Sequence, residues 1–472
     1  MESLKKNFLY QTLYQVLIVI LPLITAPYVA RVLGVDNSGV YSFANTISNY
    51  FVVFGMLGLE QYGNRCIAKV RDNKEEMNKT FSELLVVHIL VSLFAIAFYF
   101  IYCFVFTAEY RGIFLLQGFY VVSVLFDVNW FFFGIEKFKL TVTRNTVIKI
   151  LTVIATFLFV NSREDLEIYT FILSFSMFLS QLAIWPMLRK YVKFTKVEFS
   201  DLKKHWKPLF VLFVAVIAAN LNRMIDKAML GWFDKMSDLG CYDYADRIIR
   251  IPLSLIAALG TVMLSKMSNL FARGERKESD EILDVSACLV LILSVGMGFG
   301  IAAIAPEFVI LFLGEEYEET ILLLTILSLS IPLVGWNNYV RTQILIPKEM
   351  DIIYTRAVTI GAIVNIMINS VLIYFIGAKG ASIATVISYA VILIIQIMPL
   401  IKELKGTIKY VTFPIIAGLI MYGTVRLSSL ITSKLIWSVC IEFIVGVIVY
   451  GGLSVIYLRQ KQPKIITAIF NK

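Results

Sequence analysis

Charge is scarce in this sequence. Only 16% of its 472 residues are Asp, Glu, Lys or Arg, against about a quarter in an ordinary soluble domain. Histidine is rarer still, with two copies, His88 and His205. The five cysteines (Cys66, Cys103, Cys241, Cys288, Cys440) stand singly with no CxxC pair, so they read as small apolar fillers and not as metal ligands or disulfides. GxGxxG and Walker patterns are absent, which leaves no nucleotide site in view, and neither a DxD pair nor HExxH offers metal-dependent chemistry. No catalytic residue, cofactor or metal is therefore expected. What the chain has instead is apolar surface. It is 58% hydrophobic with a mean hydropathy of +0.78, more than a buried core can absorb, so an all-α polytopic membrane protein is expected. The first apolar run, Phe8 to Ala30, is too long for a signal h-region and lacks a small-residue cleavage site.

Fourteen apolar runs have about spanning length, near residues 9–30, 39–62, 81–106, 112–133, 143–160, 167–188, 208–232, 241–264, 283–304, 320–340, 354–376, 380–401, 410–430 and 435–458. The net charge of +9 is distributed in a way that argues against nucleic acid. Of the Lys and Arg residues in the loops, 31 fall on one set of alternate loops, and 7 fall on the other (Arg31, Arg111, Arg163, Lys235, Lys379, Arg426, Lys434). This is the positive-inside asymmetry, and it places both termini in the cytoplasm.

The runs also repeat. Leu33-Gly34 followed by Gly39-Val-Tyr41-Ser-Phe43-Ala44 is echoed by Leu230-Gly231 followed by Gly240-Cys-Tyr242-Asp-Tyr244-Ala245. Glu136-Lys137 before Arg144 is echoed by Lys348-Glu349 before Arg356. An offset of about 200 residues fits six-helix units, and an even helix number gives both copies the same orientation. The expected organisation is thus a lobe over 1–205, a parallel lobe over 206–405 and an extra two-helix segment over 406–472. Substrate sites in such transporters lie between repeats near the midplane.

Charges inside the runs cost roughly 2.5–3.5 kcal/mol each on insertion scales, so they usually face a bundle interior or wet cavity. They concentrate in Asn220 to Pro252. Arg223, Asp226 and Lys227 lie before a turn, and Asp243, Asp246, Arg247 and Arg250 after it. Arg31, near the outer end of the first run, sits close to the position equivalent to Lys227. Arg247 and Arg250, three apart, share a helix face. One reading is a cationic lining for phosphate or pyrophosphate, whose oxygens suit guanidinium forks. The other is internal neutralisation by the neighbouring aspartates. Asp127 and Lys149 form a second group, read as a structural pair or, with Asp226, as ion-coupling residues. Glu60 reads as a satisfied helix-end group, His88 as a packed core histidine, and Glu442 on the last run is too isolated to assign. Pro22, Pro27, Pro252 and Pro332 are expected to kink their runs.

The segment Asn7 to Arg65, with PYVARVLGVDNSGVYSFANTISNYF and LGLEQYGNR, resembles the start of Wzx-type polysaccharide-lipid flippases. These share a superfamily with MATE exporters and the lipid II flippase. The stretch from Asp127 through Trp130 and Gly134 to Lys137 is similar to that family's helix-four ending. Gly361 to Asn369 and Gly377-Ala-Lys-Gly380-Ala381 resemble its helix eleven and the following turn. The resemblance implies two six-helix lobes of the MATE-like fold around a positively charged cavity. It further implies movement of undecaprenyl-pyrophosphate-linked oligosaccharide units across the cytoplasmic membrane for capsule, O-antigen or exopolysaccharide synthesis. A polysaccharide polymerase and other assembly proteins are the implied partners. Many members have twelve helices, so the fourteenth and its neighbour are a departure. A MATE-like Na⁺- or H⁺-coupled exporter of small amphipathic molecules is the first alternative, and a membrane polysaccharide polymerase the second.

Overall fold

The computed structural model describes residues 2–233, 235–404 and 406–461, and no strand occurs among them. Ten helices among the described residues are long and apolar enough to cross a membrane. Their outward faces carry side chains that water would reject, such as Phe94, Phe98 and Phe104, each about half exposed. The chain is therefore a multi-pass, all-α membrane protein. Its contacts divide it into two compact units, Met1–Gly231 and Trp232–Lys472.

The first unit begins with α1 (Glu2–Met56). Where the sequence suggested a loop between two runs, the helix instead continues on both sides of Gly34, whose backbone alone is non-helical (φ 78°, ψ 173°). A side chain there would be strained by about 1–3 kcal/mol, so a single glycine replaces a loop. The prolines do not break the regular backbone: Pro27 lies within α1, and Pro252 within a later helix. At its other end α1 stops at Leu57-Gly58, and α2 (Leu59–Val70) follows as a separate short helix. Glu60 therefore sits exposed in the first turn of α2, not at the end of a spanning helix. Asn73 then caps α3 (Lys74–Phe106), its Oδ1 accepting from the backbone N–H groups of Glu75 (3.1 Å) and Glu76 (3.3 Å).

Next come α4 (Arg111–Ser123), a 3₁₀ turn (Val124–Phe126) and α5 (Asn129–Gly134), which interrupt the fourth apolar run around Asp127. The aromatic stretch of α5 is a packing pivot. Trp130, Phe131 and Phe132 are fully buried, and Trp130 stacks on Phe81 with ring centroids 5.4 Å apart. A Cβ at Gly63 would come within 2.6 Å of Trp130, so α2 can approach only with glycine there. The unit closes with α6 (Phe138–Phe159), α7 (Leu166–Leu182), α8 (Trp185–Leu188) and α9 (Phe199–Trp232). His88 Nε2 donates to the carbonyl of Val124 at 2.7 Å, and the side chain is buried, so it is a core histidine.

The second unit holds α10 (Met236–Arg273), α11 (Arg276–Phe312), α12 (Glu319–Ser328) and α13 (Ser330–Val340). A π-helical turn (Arg341–Leu345) follows, then α14 (Asp351–Ile397), α15 (Ile401–Leu404), α16 (Thr412–Ser428) and α17 (Leu435–Lys461). The turn suggested by Gly377-Ala-Lys-Gly380 is again one residue. Gly377 (φ 58°, ψ −134°) interrupts α14, and the carboxylate of Asp238 on α10 accepts from the next backbone N–H at 3.1 Å. A Cβ at Gly377 would lie 1.7 Å from that carboxylate. The apolar core of this unit draws on α11, α13, α16 and α17, so the last two helices pack directly on it.

Candidate functional site

The second unit presents Arg247 and Arg250 from α10. Each meets a carboxylate one turn earlier: Arg247 reaches Asp243 at 2.6 Å, and Arg250 reaches Asp246 at 2.8 Å. Helical i, i+4 spacing makes such pairs nearly automatic. The guanidinium side chains remain 41% and 43% exposed, whereas Asp243 is buried. Arg247 also lies over the Tyr244 ring, 5.4 Å from its centroid. Internal neutralisation by the neighbouring aspartates is therefore real, and these four residues sum to zero charge. Both arginine side chains nevertheless keep exposed surface.

α10 is held in place by its own unit. Asn338 on α13 donates to the carbonyl of Ile256 at 2.9 Å, four residues beyond Pro252, and a Cβ at Gly260 would meet Asn338 at 2.5 Å. Arg341, which opens the π-helical turn, donates to Asn338 Oδ1 at 2.9 Å and lies over the Tyr354 ring. π-Helical turns often mark functional positions. In the sequence Arg341 directly follows the tenth apolar run, and nothing in its spacing signals this helical placement.

In the first unit, Asp226 and Lys227 on α9 are both buried, and Asp226 lies near Tyr50 of α1. Arg31 is exposed on α1, three residues before Gly34. Arg223 is also on α9, but its side chain lies outside the described residues.

The second candidate group is a hydrogen-bond network. Asp127 accepts from the backbone N–H of Asn129 and from Gln181 Nε2, both at 2.9 Å. Asn129 donates to Gln181 Oε1 at 3.1 Å and accepts from Arg144 at 3.0 Å. Arg144 continues to Asn145, which accepts from Ser180 at 2.9 Å. This network spans α5, α6 and α7 and holds the break in the fourth apolar run. Lys149 is half-buried further along α6. Asp127 stands out in the sequence as a charge inside an apolar run, whereas Arg144 and Gln181 carry no such mark. Asp127 two residues before Asn129 is the spacing of an Asx turn, whereas the cross-helix partners have no local signal.

A third cluster went unforeseen. Glu83, 1% exposed, accepts from Lys204 at 2.7 Å and His205 Nε2 at 3.0 Å, and His205 Nδ1 meets the Tyr62 hydroxyl at 3.0 Å. It ties α9 to α2 and α3. Among the described residues no group of three or more His, Cys, Asp or Glu is arranged to hold a metal.

The sequence profile of the family described as "Polysaccharide biosynthesis protein" matches residues 4–271, more than half of the chain. The chain belongs to this family. Among curated relatives it is 25% identical over 414 residues to the "Putative O-antigen transporter" of Shigella dysenteriae, covering 84% of this chain and 99% of that one. It is 22% identical over 325 residues to the "Probable low-salt glycan biosynthesis flippase Agl15" of Haloferax volcanii, covering 67% of each. Among solved structures, lipid II flippase MurJ in an inward closed conformation superposes with a TM-score of 0.79 at 18% identity, covering 96% of this chain and 99% of that one. A point mutant of the Vibrio cholerae MATE transporter VcmN gives 0.50 at 13% identity, covering 86% and 99%. The fold is thus the one shared by MurJ and the MATE transporters, as the sequence motifs implied.

Proposed function

We propose that this protein is a flippase for undecaprenyl-pyrophosphate-linked oligosaccharide repeat units. It would carry them across the cytoplasmic membrane by alternating access, for capsule, O-antigen or exopolysaccharide synthesis. The observation that carries this reading is the match to the Shigella O-antigen transporter along nearly all of that protein's length. The MurJ-like fold agrees with it, since a lipid-linked glycan is the cargo in that flippase's name.

In this reading the chain crosses the membrane fourteen times, counting both arms of α1 and of α14 and adding α9, with both termini in the cytoplasm. The lobes are 1–205 and 206–405, and 406–472 is an added pair of helices. Arg31, Arg223 and Lys227 from the first lobe's α1 and from α9, with Arg247 and Arg250 from α10, contact the pyrophosphate. Asp127, Lys149 and Asp226 couple an ion or hold structure. The protein is a transporter and not an enzyme, and it hands its product to a polymerase in the outer leaflet.

The test is deletion of the gene followed by assay of surface polysaccharide and lipid-linked oligosaccharide. Loss of surface polymer, with single repeat units accumulating on the cytoplasmic leaflet, is expected. Single units reaching the outer leaflet without polymerising would contradict the assignment, and so would an unchanged envelope.

A further inference from the structure

The junction between α8 and α9 carries charge that the flippase reading does not use. Residues 189–207 hold seven Lys or Arg against two acids, Glu198 and Asp201. This stretch is fastened to the first turns of α3. The backbone N–H of Lys193 donates to Asn78 Oδ1 and that of Thr195 to Ser82 Oγ, both at 2.9 Å. Lys79 meets Asp201 at 3.6 Å, and Glu83 holds Lys204 and His205. The base of α9 is therefore fixed against α3, with Leu202, His205 and Leu209 buried.

The opposite face of α9 changes character along its length. Lys203, Trp206 and Lys207 are exposed, and Phe210, Val211 and Val214 continue the same face, each more than half exposed. Lys204 is committed to Glu83, whereas Lys203 and Lys207 make no ion pair among the described residues. These two cations stand one helical turn apart with Trp206 between them, and tryptophan beside lysine marks the boundary between water and hydrocarbon. From Lys203 to Val214 the stripe runs roughly 16 Å at 1.5 Å per residue, about one leaflet of a 30 Å hydrocarbon core. Paired cations above one leaflet of apolar surface match a lipid with an anionic head. A zwitterionic head carries its own ammonium and gains little there, and a soluble anion leaves the apolar stripe uncovered.

We propose that Lys203 and Lys207 seat the phosphate of an anionic glycerophospholipid whose acyl chain lies along Trp206, Phe210 and Val214. Charge complementarity selects the head, and the exposed stripe selects the tail. The site lies wholly within the first unit and stands independently of the flippase assignment.

The purified full-length chain, delipidated in a non-ionic detergent at low ionic strength, is titrated with phosphatidylglycerol and, separately, with phosphatidylcholine, and bound lipid is counted by native mass spectrometry. Phosphatidylglycerol is expected to bind at least about tenfold more tightly. Lys203→Gln with Lys207→Gln should weaken phosphatidylglycerol about thirtyfold, about fivefold per cation, and leave phosphatidylcholine unchanged. Lys266→Gln with Lys277→Gln removes two exposed cations from the second unit and should leave both affinities where they were. Phe210→Ser with Val214→Ser keeps both lysines and should weaken both lipids, so the proposal stays testable where the first lysine variant fails to fold. Equal binding of the two lipids, or an equal loss from the second-unit lysine pair, would reduce the effect to general attraction by a basic protein and overturn the proposal. Phosphatidylglycerol binding that survives Phe210→Ser with Val214→Ser, or that glycerol 3-phosphate displaces at equal concentration, would overturn it as well.

Discussion

Two arginine-bearing places in the second unit are built in opposite ways. Arg247 and Arg250 pair with carboxylates on their own helix, one turn away, and stay partly exposed. Arg426 pairs across helices, joining α16 to Glu307 on α11, and is less exposed. A pair within one helix survives any rigid movement of that helix. A pair between helices breaks when they separate. The first design suits a helix that moves as a body, and the second suits a fixed joint.

The comparison can be broken most severely at α10. Arg247→Ala with Arg250→Ala is expected to stop export while insertion persists, because each lost charge-assisted bond weakens substrate binding by roughly tenfold or more. Arg→Lys at both positions should retain part of the export, since lysine keeps the charge but loses the fork. Asp243→Asn combined with Arg247→Ala removes both charges of one pair, so it should recover folded yield without recovering export. If export recovers too, Arg247 serves only to neutralise Asp243.

At the joint the sign should reverse. Arg426→Leu leaves Glu307 mostly buried without its partner, and is expected to lower stability by about 2–3 kcal/mol, read as thermal unfolding in detergent. Export at permissive temperature should persist in proportion to folded protein.

A smaller effect is expected in the first unit. Asp127→Asn keeps an acceptor for the Asn129 N–H but gives up the charge facing Gln181, at a cost of about 1 kcal/mol. Loss of export at unchanged stability would instead make Asp127 an ion-coupling residue. The smallest effect is expected for Arg71→Gln. Arg71 meets Glu136 at 2.6 Å, which holds its guanidinium above the ordinary value, yet both side chains are well exposed. Neither unfolding nor export should change measurably.

Much of this was legible in the sequence because the membrane imposes a simple rule on it. Long apolar runs become helices, and the polysaccharide-flippase motifs around Gly34, Trp130 and Gly377 lie at the break in α1, the buried aromatic pivot and the break in α14. The runs could not show that Gly34 and Gly377 each replace a whole loop, since hydropathy records where helices lie and not the backbone angles between them. The arginines of α10 were visible as anomalies, and their i, i+4 carboxylates follow from helical spacing. The surroundings of Arg144, Glu83 and Glu442 were not visible. Gln181 is 37 residues from Arg144, and Glu83 is 122 from His205, so only the tertiary fold brings them together. Glu442 looked isolated because its charged neighbours Glu307 and Arg426 belong to other helices.

The most direct measurement is reconstitution of the purified chain into vesicles carrying undecaprenyl-pyrophosphate-linked oligosaccharide, with a glycan-cleaving enzyme confined outside. Cleavage should proceed beyond the outer-leaflet share toward completion with the unmodified chain, and stop at that share with Arg247→Ala and Arg250→Ala combined. Cleavage by the unmodified chain that stops where protein-free vesicles stop would contradict the flippase account.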